Sequence, residues 1–210
     1  MTSEYLEGKK YRVIKQADEK GKINRYNIYD GITIDDKEYA FEEMIFFDGR
    51  LKIHLPTEFV NMSTNSSLMN YQSGEHSPIV KTNDFRNVNI TLNLIPNNIC
   101  DDQIAKAKDD IKIILKRQNP SYFFFKEGVE IIGDKPVGFF EFKSPTMDAS
   151  MFNLIFLAEL DRNIMMGTFN CSYSDFRQWH PVAWQIMRSL KIKSATLDSG
   201  NGFNVACVGG

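Results

Sequence analysis

In the stretch GTFNCSYSDFRQWHPVAW, residues 167–184, Cys171, Asp175 and His180 lie within ten residues of one another. A cysteine thiolate, an imidazole that takes its proton and a carboxylate nearby are the parts of a nucleophilic site. Spacing alone does not assemble them, because Cys171 closes a strand-like run and His180 follows a turn. The plainer reading of the same residues is a small buried cysteine at a strand end and a histidine on the flank of a helix. A cysteine-dependent enzyme using Cys171 and His180 is the alternative, and it requires the fold to bring the two into hydrogen-bond reach.

The other residue types that do chemistry are dispersed. His54, His76 and His180 stand alone, with no H-x-x-x-H and no paired carboxylate beside them, so the sequence predicts no metal site. Asp101-Asp102 and Asp109-Asp110 fall on a charged helix, where capping and solvation account for them. No glycine-rich run precedes a helix to cradle phosphate. The aromatic run Tyr122-Phe123-Phe124-Phe125 has Lys126 as its only basic neighbour and reads as a core strand, not a base-stacking platform. Met165-Met166 reads as strand packing. No catalytic residue and no cofactor are expected.

With 42% hydrophobic and 25% charged residues over 210 positions, the chain is long enough to bury a full core. Its formal charge of -2 gives no long-range attraction for nucleic acid. The start, MTSEYLEGKKYRV, has no apolar signal region, and no window is long and apolar enough for a spanning helix. Three cysteines, at 100, 171 and 207, are odd in number and widely spaced, which argues against a disulfide framework or structural zinc. Reduced thiols and a cytoplasmic setting follow as expectations, without nucleic acid or membrane insertion.

Periodicity supplies the elements. Asp48-Gly49 predicts a hairpin turn between Met44–Phe47 and Arg50–Leu55. Residues 63–77 are Ser- and Asn-rich and read as a surface loop. Val88, Ile90, Leu92 and Leu94 alternate with Asn89, Thr91 and Asn93, which predicts a strand with one buried and one wet face. From Asp101 to Arg117, apolar residues at 104, 107, 111, 114 and 115 predict an amphipathic helix with aspartates in its first turn and Lys116-Arg117 in its last. Strands at 129–132, 137–143, 151–160 and 164–170, joined by turns at Gly133-Asp134 and Asp161-Asn163, form an antiparallel meander. A second amphipathic helix starts near Ser174, a good N-cap, with Pro181 a kink or the start of its second half. Strands are expected at 11–14, 23–29 and 31–34. The organisation is then a β-rich extension (1–43), a main domain (44–192) and a glycine-containing tail (193–210), in the α+β class.

From Phe46 to Ile192 the chain resembles the PsbP-like superfamily, which includes the extrinsic subunit of photosystem II, the Mog-type Ran-binding factor and the Eag-type chaperones of secreted effectors. DGRLKIHLPTEF (48–59), VNITLNL with DDQIAKAKDDIKIILK, GFFEFKS (138–144), the pair NLIFLAEL and NIMMGTFNC, and the closing amphipathic helix carry the resemblance. It is a likeness of pattern and element order, closest to uncharacterised bacterial cytoplasmic members. It implies an α/β/α sandwich that binds other proteins and has no active site, acting as an adaptor or a chaperone for a secreted or membrane-destined client.

The closing helix offers the surface for such a partner. At 100° per residue, the stripe Phe176, Trp179, Ala183, Ile186, Met187 and Leu190 leaves Arg177, His180, Trp184 and Arg188 together on one flank. Tryptophan and arginine are enriched at interface hot spots. The flank is expected to meet a protein partner, unless the N-terminal extension or a second copy in a homodimer covers Trp184.

Overall fold

The computed structural model describes residues 27–62 and 78–193. The strand expected at 11–14, the loop 63–77 and the tail from 194 fall outside the described residues. Strands β1 (Ile32–Ile34) and β2 (Lys37–Tyr39) form a hairpin, followed by β3 (Phe41–Phe46), β4 (Leu51–Pro56), β5 (Val60–Asn61), β6 (Ile79–Thr82) and β7 (Val88–Ile95). Helix α1 (Ile104–Gln118) comes next, then β8 (Phe123–Ile132), β9 (Lys135–Pro145), β10 (Ser150–Leu160) and β11 (Asn163–Ser172). Helix α2 (Phe176–Arg188) and the short β12 (Lys191–Ile192) complete the described chain.

Seven strands form one antiparallel sheet in the order β5-β6-β7-β11-β10-β9-β8, and β12-β4-β3 form a smaller one. Period-two alternation makes the large sheet two-faced. Phe140, Phe142, Ile155 and Leu157 pack toward α1 in one apolar cluster, while Val88, Ile90, Phe152, Leu154, Phe156 and Phe169 join the larger core that includes α2. Helix α2 lies against β10 and β11 on one side and β4 on the other. The β1–β2 hairpin shares the larger core through Ile32, Ile34 and Tyr39, and β3 runs through residue 43, so one core continues across the boundary drawn at 43/44.

Two glycines set close approaches. A Cβ on Gly167 in β11 would lie 2.0 Å from two ring carbons of Phe156, so this position must be bare for the fully buried ring to fill the core. Gly138 in β9 lies under α1, where a Cβ would meet Ile104 and Lys108 at 3.1 Å. The helix therefore sits low enough to bury Lys108, whose ammonium ends on Asp109 and Glu127. Lysine stems cover apolar surface this way while the head finds partners. The expected stripe is corrected accordingly: Lys108 belongs to it, and Ile114 is exposed.

The hairpin turn at Asp48-Gly49 is wider than two residues. Phe46 pairs with Leu51, and Phe47, Asp48 and Gly49 all have positive φ. The Asp161-Arg162 turn does hold two positive-φ residues, the signature of a tight hairpin that follows strand twist. Asn93 departs from the wet face of β7: it is buried, and its side-chain oxygen has no partner among the described residues. Helix α2 begins two residues later than Ser174, after a 3-10 turn over Tyr173–Asp175, and runs on through Pro181. Ser174 bonds Ser172 and Asp175 and caps nothing.

Candidate functional site

Cys171 does not meet His180. The thiol is fully buried near the end of β11, opposite Phe152 in β10 and Val88 in β7. Burial, with a smaller contribution from the Asp175 carboxylate, pushes its pKa up to about 12. Such a thiol is protonated at neutral pH and is no nucleophile. His180 turns instead to β9, where its Nε2 lies 2.7 Å from Glu141 Oε1. The pair on which cysteine catalysis depends is not assembled.

The flank Arg177, His180, Trp184 and Arg188 is reached in part. His180, Trp184 and Arg188 do stand side by side, as 100° spacing requires; Trp184 and His180 turn to the sheet, whereas Arg188 is exposed. Trp184 is only 6% exposed. Its indole N–H donates to Glu141 Oε1, and its ring meets Phe139 edge-on at 4.7 Å. Lys126 Nζ sits 3.9 Å from the indole centroid, and the Arg188 guanidinium lies over the same ring at 4.9 Å. Arg188 also makes a two-pronged bond to Glu130 at 2.8 and 2.9 Å, which holds that carboxylate below its usual range. Strands β8 and β9 thus cover Trp184, the residue on which the expected partner surface centred, while Arg188 stays exposed beside it. The N-terminal hairpin covers the opposite side, with Tyr39 on Trp179, Asp35 on Gln178 and the Ile28 amide on Gln185. Arg177 stays exposed and bonds no described residue.

Glu141 is the residue that the sequence did not single out. It is 1% exposed, set among Phe139, Phe140 and Phe142 in β9, and it ties His180 and Trp184 to that strand through one oxygen. Its second oxygen has no partner among the described residues. A β-bulge sets this corner: between Phe124 and Glu127 the strand β8 carries one residue more than β9. Phe125 and Lys126 then both stand opposite Glu141, Phe125 reaching Phe176 and Lys126 the indole. The one sign in the sequence is a lone carboxylate among the phenylalanines of GFFEFKS, which names neither the bulge nor the donors.

The remaining features carry structure. Among the described residues no group of three or more His, Cys, Asp or Glu could hold a metal. Clefts of about 300 and 430 Å³ flank residues 97–103, at the opposite end of the sheet from Cys171, and neither is lined by His180, Glu141 or Trp184. Beside them Cys100 is disulfide-bonded, whereas Cys171 is free; Cys207 lies outside the described residues. The expectation of three reduced thiols is thereby corrected, since an odd count and wide spacing do not report which cysteines the fold brings together.

The chain superposes on CyanoP, the cyanobacterial PsbP of Synechocystis sp., with a TM-score of 0.57 and 9% identity over 78% of this chain and 98% of that one. LpqN of Mycobacterium tuberculosis, involved in cell envelope biogenesis, aligns at TM-score 0.45 and 11% identity over 81% of this chain and 99% of its own. A protein of unknown function from Pseudomonas aeruginosa aligns at 0.45 and 9%, over 73% and 98%. No protein-family model and no curated protein matches the chain. At such identity the likeness to CyanoP is one of fold, and the chain has a PsbP-like α+β fold of antiparallel sheets with two helices.

Proposed function

We propose that this protein is a PsbP-like α/β/α sandwich working as a non-enzymatic protein-binding module, an adaptor or a chaperone for a secreted or membrane-destined client. The observation that carries this reading is how its side chains are used. The Cys171 thiol and the Glu141 carboxylate are buried and the His180 imidazole is bonded to that carboxylate, while Ile113 and Ile114 stand exposed on the outward side of α1. Adjacent exposed isoleucines on a rigid helix offer contact area, not reactivity. The likeness to PsbP-like proteins supports the same reading. The Cys100 disulfide bears on location, because such bonds persist in oxidising compartments; it removes the support that reduced thiols gave to a cytoplasmic setting.

The test is a pull-down from the native host with the wild-type chain and with Ile113→Asp combined with Ile114→Asp. A protein retained by the wild type and lost by the double variant, with melting unchanged, is the expected result. Identical retained proteins for the two, or none for either, would count against the reading.

A further inference from the structure

The large sheet ends on β8, and among the described residues no strand pairs with its outer edge. Long free edges are templates for further pairing unless charges, bulges or covering elements blunt them. The bulge in β8 lies toward its start, so the strand is regular from Glu127 to Ile132. The charges on that stretch are drawn inward: Glu127 bonds Lys108 and Lys112 on α1, and Glu130 bonds Arg188 on α2. What stands outward is apolar, with Val129 42% and Ile131 69% exposed. Pairing with Phe140, Gly138 and Pro136 puts Glu127, Val129 and Ile131 on one face of the strand, the face that carries α1.

We infer that this edge pairs with β8 of a second copy of the chain, antiparallel about a two-fold axis at Val129. Strand chemistry selects both occupant and register. In an antiparallel pair that continues the sheet, facing residues share a face, so a two-fold axis must pass through a residue. Centred on Glu130, it sets two carboxylates directly opposite, which is destabilising. Centred on Gly128, the pairing meets the bulge just beyond Lys126. Centred on Val129, pairing runs through 127–131: Val129 faces its own copy, and each Ile131 faces the other chain's Glu127, whose carboxylate is already turned to the α1 lysines. The two valines and two isoleucines then form one apolar stripe across the joint. On the other face each Glu130 stands opposite a Gly128, which has no side chain to crowd it; its diagonal neighbours are a Lys126 of opposite charge and the other chain's Glu130, and each Glu130 carboxylate is already held by its own Arg188. An unrelated peptide would need to match both faces at once, and a second copy does so by its own sequence.

The pairing stands apart from client binding through α1, and each can fail without the other. Light scattering on the full chain across the micromolar range should show a concentration-dependent dimer. Val129→Lys, which sets two ammonium groups face to face at an exposed site, should weaken that dimer by about a hundredfold or more and leave melting unchanged. Facing Cα atoms in an antiparallel pair are about 4.5–5.5 Å apart, within disulfide range. Val129→Cys should therefore cross-link two chains on mild oxidation, whereas Ile131→Cys, offset from its own copy along the strands, should behave as the wild type. A wild type that stays monomeric throughout the range overturns the inference. So does a dimer that Val129→Lys leaves intact, or a cross-link that forms through Ile131→Cys instead of Val129→Cys.

Discussion

Replacing Trp184 by alanine decides whether the closing helix presents a surface or is locked into the fold. The side chain is buried, with its ring edge-on to Phe139 and its N–H on Glu141. Truncating a buried tryptophan costs about 3–5 kcal/mol. Losing the N–H leaves the buried Glu141 carboxylate with one donor fewer, which adds about 1 kcal/mol or more. At about 2–4 °C per kcal/mol for a chain of this size, melting should fall by roughly 10–20 °C. Trp184→Phe keeps an aromatic ring at the site but removes the donor and part of the indole, so it should cost about 1–3 kcal/mol, clearly less than alanine. Thermal unfolding followed by circular dichroism reads both. If Trp184→Ala melts with the wild type, the packing described against β8 and β9 is wrong and the flank is open to a partner.

Two further outcomes follow from the thiols and from one carboxylate. Iodoacetamide at neutral pH should leave Cys171 unmodified in the folded protein, because its thiol is buried and its pKa raised to about 12; in denaturant Cys171 should alkylate at once, and Cys100 only after a reductant is added. Rapid labelling of Cys171 in the native state would favour the enzyme reading. Bonds from Lys191 and Lys52 lower the Glu43 pKa to about 2. A carboxylate depressed on folding contributes stability above its unfolded pKa and loses it as pH falls through the folded value, so its share should vanish between about pH 4.5 and 2. Urea midpoints over that window should fall less steeply for Glu43→Gln than for the wild type, and parallel curves would show that the three side chains do not interact.

Where one physical rule governed a segment, the sequence was legible. The alternation Val88-Ile90-Leu92-Leu94 became β7 because the larger core takes one face, and the Asp161-Arg162 turn formed because both residues tolerate positive φ between twisted strands. Both helices lie where spacing puts them, within a few residues. Legibility fails where two elements compete for one position. Lys108 joins the buried side of α1 because Gly138, thirty residues on, lets the helix descend, and nothing local to Lys108 says so. That Cys100 is disulfide-bonded is likewise a matter of the fold, which composition does not record.

The closing helix fails for a reason that reaches further. A stripe at 100° spacing reports one covering surface, and from a single stripe every residue off its centre reads as exposed. Helix α2 has covers on several sides: β10 and β11 beneath, β4 across, the N-terminal hairpin beside Trp179, and β8 with β9 over Trp184. An amphipathic pattern then understates burial, and the polar residues among the stripe become the ones to question. His180 proved to be half of an interior contact with Glu141, and Arg188 a clamp on Glu130. A tryptophan flanked by such residues is as well explained by a carboxylate waiting on a neighbouring strand as by a partner. The lone glutamate in the aromatic strand GFFEFKS was the available sign, since a buried carboxylate in such a strand needs donors from elsewhere in the fold.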